Sequence, residues 1–103
     1  MRQVRQHLEK TLRGRGVSAA IVVLRHLYGM TGTEIAWSLD RDRTMVSLYA
    51  NGQVAMPEKV RDRLVELLRD CLTVAKSVQT RQDGEEELLE ALIARTEEVI
   101  GSL

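Results

Sequence analysis

The chain carries a single cysteine, Cys71, among 103 residues. One thiol cannot close a disulfide within the chain, so a reducing cytoplasm is the expected setting. No apolar run approaches the ~18–20 residues that a bilayer-spanning helix needs. The basic opening, residues 1–7, is not followed by the apolar stretch of a secretion signal. There is no phosphate-cradling glycine loop and no nucleophile elbow, and the acids near the C-terminus have no basic or metal partner in the pattern. An enzyme is therefore not expected. His7 and His26 lie far apart, with no second Cys or His at zinc spacing, so no metal or other cofactor is expected. Strand alternation, internal repeats and low-complexity segments are also missing.

Net charge is zero, but the charges are unevenly placed. Residues 1–50 carry eight Lys/Arg against four Asp/Glu, residues 51–81 six against four, and residues 82–103 one against seven. A basic front and an acidic tail suit a chain that meets a polyanion with its front. A mixed solvated surface would read the same way. Arg2, Arg5, Arg13 and Arg15 are either a basic arm or one face of a solvated helix.

What the sequence has in quantity is helical periodicity. Val4, Leu8 and Leu12 mark a short amphipathic helix over 2–13, broken at residues 14–16. Ser18 is the expected N-cap of a second helix over 18–28, with Ile21, Leu24 and Leu27 inward and Gly29 as its C′ residue. Thr31 and Glu34 have capping-box spacing and open a helix over 32–39 that turns Ile35, Ala36 and Leu39 inward. Residues 40–42 are a polar break, and Asp42 is placed to cap a helix over 43–50 that stops at Asn51 and Gly52. Pro57 suits the first turn of a long helix over 57–81. Asp83 and Gly84 mark a turn before a last helix over 85–101.

The stretch 31–52 is the informative one. Two short helices joined by a tight turn pack at a steep angle and need a small residue at the crossing, which Ala36 supplies. Ile35, Leu39, Val46 and Tyr49 supply the apolar inner faces. At ~100° per residue, Arg43, Thr44, Ser47, Leu48 and Asn51 share one side of the second helix. Met45, Val46, Tyr49 and Ala50 share the other. Two such sides are what a helix needs if it is to lie on its own core and also in a major groove. Arg43 suits a bidentate bond to a guanine edge, Thr44 and Ser47 suit base edges or phosphates, and Leu48 suits a thymine methyl.

Through Thr31, Glu34, Ile35, Ala36, Leu39, Val46, Ser47, Asn51 and Gly52 the segment resembles the lambda-repressor/Cro-like helix-turn-helix family. The resemblance spans roughly residues 18–68. It implies base reading at Arg43, Thr44 and Ser47, and a phosphate contact at Asn51. Thr31, Gly32, Thr33 and Arg41 are the other expected phosphate contacts, the amides at residues 31–33 facing the start of a helix. The chain departs from the family at four places. Asp40 stands for the usual turn glycine, Arg41 for an apolar turn residue, Gly32 for a longer polar residue, and Trp37 for a polar one. Trp37 is expected to pack against the N-terminal helix or a partner chain.

The expected fold is all-α, with a helix-turn-helix head over 1–56 and a helical hairpin for oligomerisation over 57–103. Val60, Leu64, Leu67, Cys71, Val74 and Val78 form a heptad seam on the first hairpin helix. Leu89, Leu92, Thr96, Val99 and Leu103 continue it on the second. Self-pairing through Val60, Leu64, Leu67, Cys71, Val74, Leu89, Leu92 and Val99 gives a homodimeric four-helix bundle; the alternative is a hairpin folded onto its own chain. The expected partner is double-stranded DNA, with no membrane and no evident small-molecule ligand. The expected function is that of a dimeric transcriptional regulator, a repressor of phage, plasmid or mobile-element type. A DNA-recognition subunit of a ring assembly, such as a small packaging terminase, and a protein-interaction module of the same fold are the competing readings.

Overall fold

A computed structural model describes residues 16–79 and 86–103. The helix expected over 2–13, the basic arm and the turn at residues 83–84 lie outside the described residues. The described chain is all-α, as expected, with no strand. Helix α1 (Gly16–Val22) runs on into one π-helical turn (Val23–Leu27), and is followed by α2 (Gly32–Ser38), α3 (Arg43–Ala50), α4 (Glu58–Gln79) and α5 (Glu86–Gly101). Among the described residues no helix is long and apolar enough to cross a membrane.

Helix α1 is the hub, touching α3, α4 and α5, while α4 and α5 pair with each other and α2 leans on α3 and α4. Its own start is built from the far end of the chain. The Gly16 amide, one of the donors a helix leaves without an internal partner, donates to Ser102 Oγ at 2.9 Å. The Ser102 hydroxyl in turn donates to the Val99 carbonyl at 2.8 Å. Ser18, the expected N-cap, therefore lies inside the helix, and its hydroxyl donates to the Ala50 carbonyl at the end of α3. The cap comes from Ser102, so the helix begins two residues earlier than expected. Ser102→Ala removes it and should cost about 1 kcal/mol, as losing a Ser N-cap does. A lowered urea midpoint at unchanged m-value is the expected record of that loss.

The π-helical turn corrects a second expectation. The Tyr28 amide reaches back five residues to the Val23 carbonyl at 3.2 Å. The wider turn advances the inward register by one residue. Leu27, expected inside, is 41% exposed, and Tyr28 turns in instead. Thr96 is fully buried at 0% exposure and donates its one hydroxyl proton to the Leu92 carbonyl at 2.7 Å. Tyr28 is then the donor in its 2.7 Å bond to Thr96 Oγ1. Burial pushes the Tyr28 phenol above its ordinary range, and burial likewise raises the half-buried Cys71 thiol. Gly29 (φ +70°) ends the helix as expected, with the Met30 amide on the Leu24 carbonyl at 2.9 Å.

Pro57 sits one residue before α4, its carbonyl accepting from Val60 and Arg61 at 3.1 and 2.9 Å. The apolar stripe of α4 is displaced from the expected seam. Val60, Leu64, Leu68 and Ala75 are buried, Leu67, Cys71 and Val78 are half-buried, and Val74 is 64% exposed. At ~100° per residue, Leu64, Leu68 and Ala75 lie within about 40° of one another, so the inner line runs through Leu68 rather than Leu67. On α5, Ile93, Thr96 and Val99 are buried and Leu89 and Leu92 are half-buried.

The core crosses the boundary expected at residue 56. Ile21, Leu24, Ile35, Leu39, Val46, Tyr49, Met56, Val60, Leu64, Leu68 and Val99 belong to one cluster. Val60, Leu64 and Val99 are thus spent within the chain and leave nothing for a partner to cover. Any self-pairing through the hairpin falls to Leu67, Cys71, Val74, Leu89 and Leu92.

Candidate nucleic-acid interface

The helix pair α2–α3 is shaped by local chemistry. The Thr31 hydroxyl accepts from the Glu34 amide at 3.1 Å, and the Thr31 amide donates to Glu34 Oε1 at 3.0 Å. Both halves of the expected capping box are present. The backbone bond from Thr31 is the chief reason the Glu34 carboxyl is held below its usual range. Asp42 Oδ1 accepts from the Met45 amide at 2.8 Å, capping α3 where expected.

Between the helices Asp40 takes a left-handed conformation, φ +54°, the single non-glycine residue with positive φ among those described. A short polar side chain tolerates this region better than most. Its carboxylate also lies 3.5 Å from Arg63 Nη1 on α4, an exposed pair that holds the turn to the hairpin and contributes at most ~1 kcal/mol. Asp40→Gly removes the left-handed cost of about 1–2 kcal/mol along with that pair. The net expectation is a gain of roughly 0.5–1 kcal/mol, seen as a Tm higher by a few degrees. A lower Tm would mean that the Arg63 pair outweighs the strain.

On α3 the two sides separate as expected. Val46 and Tyr49 are buried, Met45 and Ala50 are half-buried, and Arg43, Thr44 and Ser47 are exposed. None of those three side chains is hydrogen-bonded or ion-paired to a described residue. Leu48 is half-buried. The Asn51 side chain is exposed at the end of the helix, while its amide donates to the Ser47 carbonyl at 3.0 Å. Gly52 follows at φ +73°.

Arg43 lies over the start of α2. A Cβ on Gly32 would stand in ordinary van der Waals contact with Arg43 Nε, at 3.8 Å, so the two helix starts meet. Thr31 and Thr33 are exposed beside it. Arg41 is exposed too, but its Nη1 donates to the Asp40 carbonyl at 2.8 Å, which folds it back on the turn. Arg43 and Thr44 thus share one end of the pair with Thr31, Gly32 and Thr33, Ser47 follows about one turn along α3, and Asn51 stands at the far end.

Electrostatics on this side are set by how its acids are engaged. Glu34 is in the capping box, Asp42 caps α3, and Asp40 faces Arg63. Arg43 is left with a charge that nothing described neutralises. Sequence reasoning missed two supports of the site, the Ser18 hydroxyl on the last carbonyl of α3 and the Asp40–Arg63 link. Both join residues from distant parts of the chain, and neither has a local pattern.

No family model matches the chain, and no solved structure matches it.

Proposed function

We propose that this chain is a sequence-specific DNA-binding transcriptional regulator, acting as a dimeric repressor of phage, plasmid or mobile-element type. One observation carries the reading. Helix α3 buries Val46 and Tyr49 against its own core while Arg43, Thr44 and Ser47 stand bare on the other side. A short, rigidly seated helix with an unpaired guanidinium and two hydroxyls facing out is what direct readout of a major groove requires. In this reading Arg43, Thr44 and Ser47 contact base edges, with Leu48 grazing a thymine methyl. Thr31, Thr33, Asn51 and the backbone at Gly32 face phosphates, and Arg41 joins them by leaving the Asp40 carbonyl. Two copies joined through the open hairpin residues would present two such helices to one side of a duplex.

Selection of bound duplexes from a random pool tests the proposal. Recovery of a short inverted repeat, with affinity that falls steeply as salt rises, is the expected result. A pool that stays random, or binding indifferent to salt, would overturn it. A protein-interaction module of the same fold is the second reading, favoured by Trp37, which is 88% exposed on α2.

A further inference from the structure

Helix α3 ends with its carbonyls matched, and the last of them is matched from outside. The final carbonyls of a helix have no partner within it. Here the Ser47 carbonyl accepts from the Asn51 amide at 3.0 Å, the Leu48 carbonyl from Gln53 at 3.0 Å and the Tyr49 carbonyl from Gly52 at 3.2 Å. The last two bonds make a Schellman turn, which Gly52 permits at φ +73°. No described backbone amide reaches the Ala50 carbonyl. Its proton comes from the Ser18 hydroxyl on α1, 32 residues earlier in the chain.

Local atoms close this helix, but they do not set where its closed end sits. Val46 and Tyr49 seat α3 by apolar burial, which has no direction. The Ser18 bond has one, and it ties the end of α3 to α1. Helix α1 is a firm base for it. Ala19 and Ala20, beside Ser18, are fully buried, and Ser102, just past α5, caps the Gly16 amide at 2.9 Å. The eight residues of α3 span ~12 Å, so a tilt of about 5° displaces one end against the other by ~1 Å. The distance window of an N–H···O contact is only about 0.5 Å wide. A small error of seating would therefore take the exposed side chains of α3 out of reach of a base edge.

We propose that Ser18 is a positioning residue for α3, its hydroxyl setting the angle at which Arg43, Thr44 and Ser47 meet the base edges. The inference rests on the DNA reading of α3, so it is tested once with DNA and once without. Ser18→Ala removes the hydroxyl and leaves a strong helix former in α1. Ser18→Thr keeps the hydroxyl. In Ser18→Ala, amide hydrogen exchange at residues 51–53 should quicken several-fold while the amides of α4 keep their rates. Affinity for the selected duplex should fall about 3- to 10-fold, the worth of one net hydrogen bond, and affinity for a scrambled duplex should hold. Ser18→Thr should match the unaltered chain in both measurements. Unchanged exchange at 51–53 in Ser18→Ala overturns the proposal. So does exchange that quickens throughout the chain, which would make the role one of general stability. Faster local exchange with undiminished preference for the selected duplex overturns it as well, as does an equal change in Ser18→Thr. A pool from which no duplex is selected overturns the DNA reading instead, and the exchange rates then decide whether Ser18 seats α3.

Discussion

Replacing Leu64 by alanine is expected to cost about 3–5 kcal/mol of stability, the upper range for a Leu→Ala change in a packed core. Leu64 is fully buried, in a cluster drawn from all five helices. Domains of this size are stable by only ~5–15 kcal/mol, so the variant should sit close to its unfolding threshold. The shape of the transition matters as much as its midpoint. Because one core spans both halves of the chain, urea unfolding followed by far-UV circular dichroism should remain a single transition that shifts as a whole. A second, unshifted transition would mean that the helices of residues 16–56 hold together without α4. Val74→Ala is the matched control, since Val74 is 64% exposed and an exposed site of this kind is worth within ~0.5 kcal/mol. A larger cost there that grows with protein concentration would show a partner covering the hairpin.

Arg43→Ala is expected to weaken binding to the selected duplex by about 1–3 kcal/mol, roughly 5- to 150-fold in Kd. Stability should hardly change, because the side chain is exposed and bonded to nothing described. The pattern across sequences distinguishes its role. A bidentate bond to a guanine edge predicts relaxed preference at one base pair and little loss on mismatched duplexes. An equal fall on every sequence, with a shallower salt slope, would make Arg43 a phosphate contact. Unchanged affinity on the selected duplex would remove α3 as the reading element.

The helix ends around the candidate site were legible because each depends on atoms within one turn of chain. The Thr31 box joins residues three apart, Asp42 caps the amide three residues on, and Gly29 and Gly52 occupy positive φ where those helices stop. The two-sidedness of α3 was legible for the same reason, since it follows from residue type and helical period alone. The hairpin was legible only in part. Its two helices could be read from periodicity, but the same apolar stripe serves equally well for a partner chain or for its own head.

Among the described residues, the amino-acid sequence by itself therefore determined which segments are helical, where most of them stop and which side of α3 is polar. These are short-range consequences of hydrogen-bonding side chains, glycine and a 3.6-residue period. Tertiary structure decided the rest. It supplied the Ser102 hydroxyl that caps α1 from 86 residues away and the Ser18 bond to Ala50. It turned Tyr28 rather than Leu27 onto Thr96, and it spent Val60, Leu64 and Val99 on the chain's own core. An apolar side chain specifies that it must be covered, not by what. The surface that covers it exists only once the helices have met.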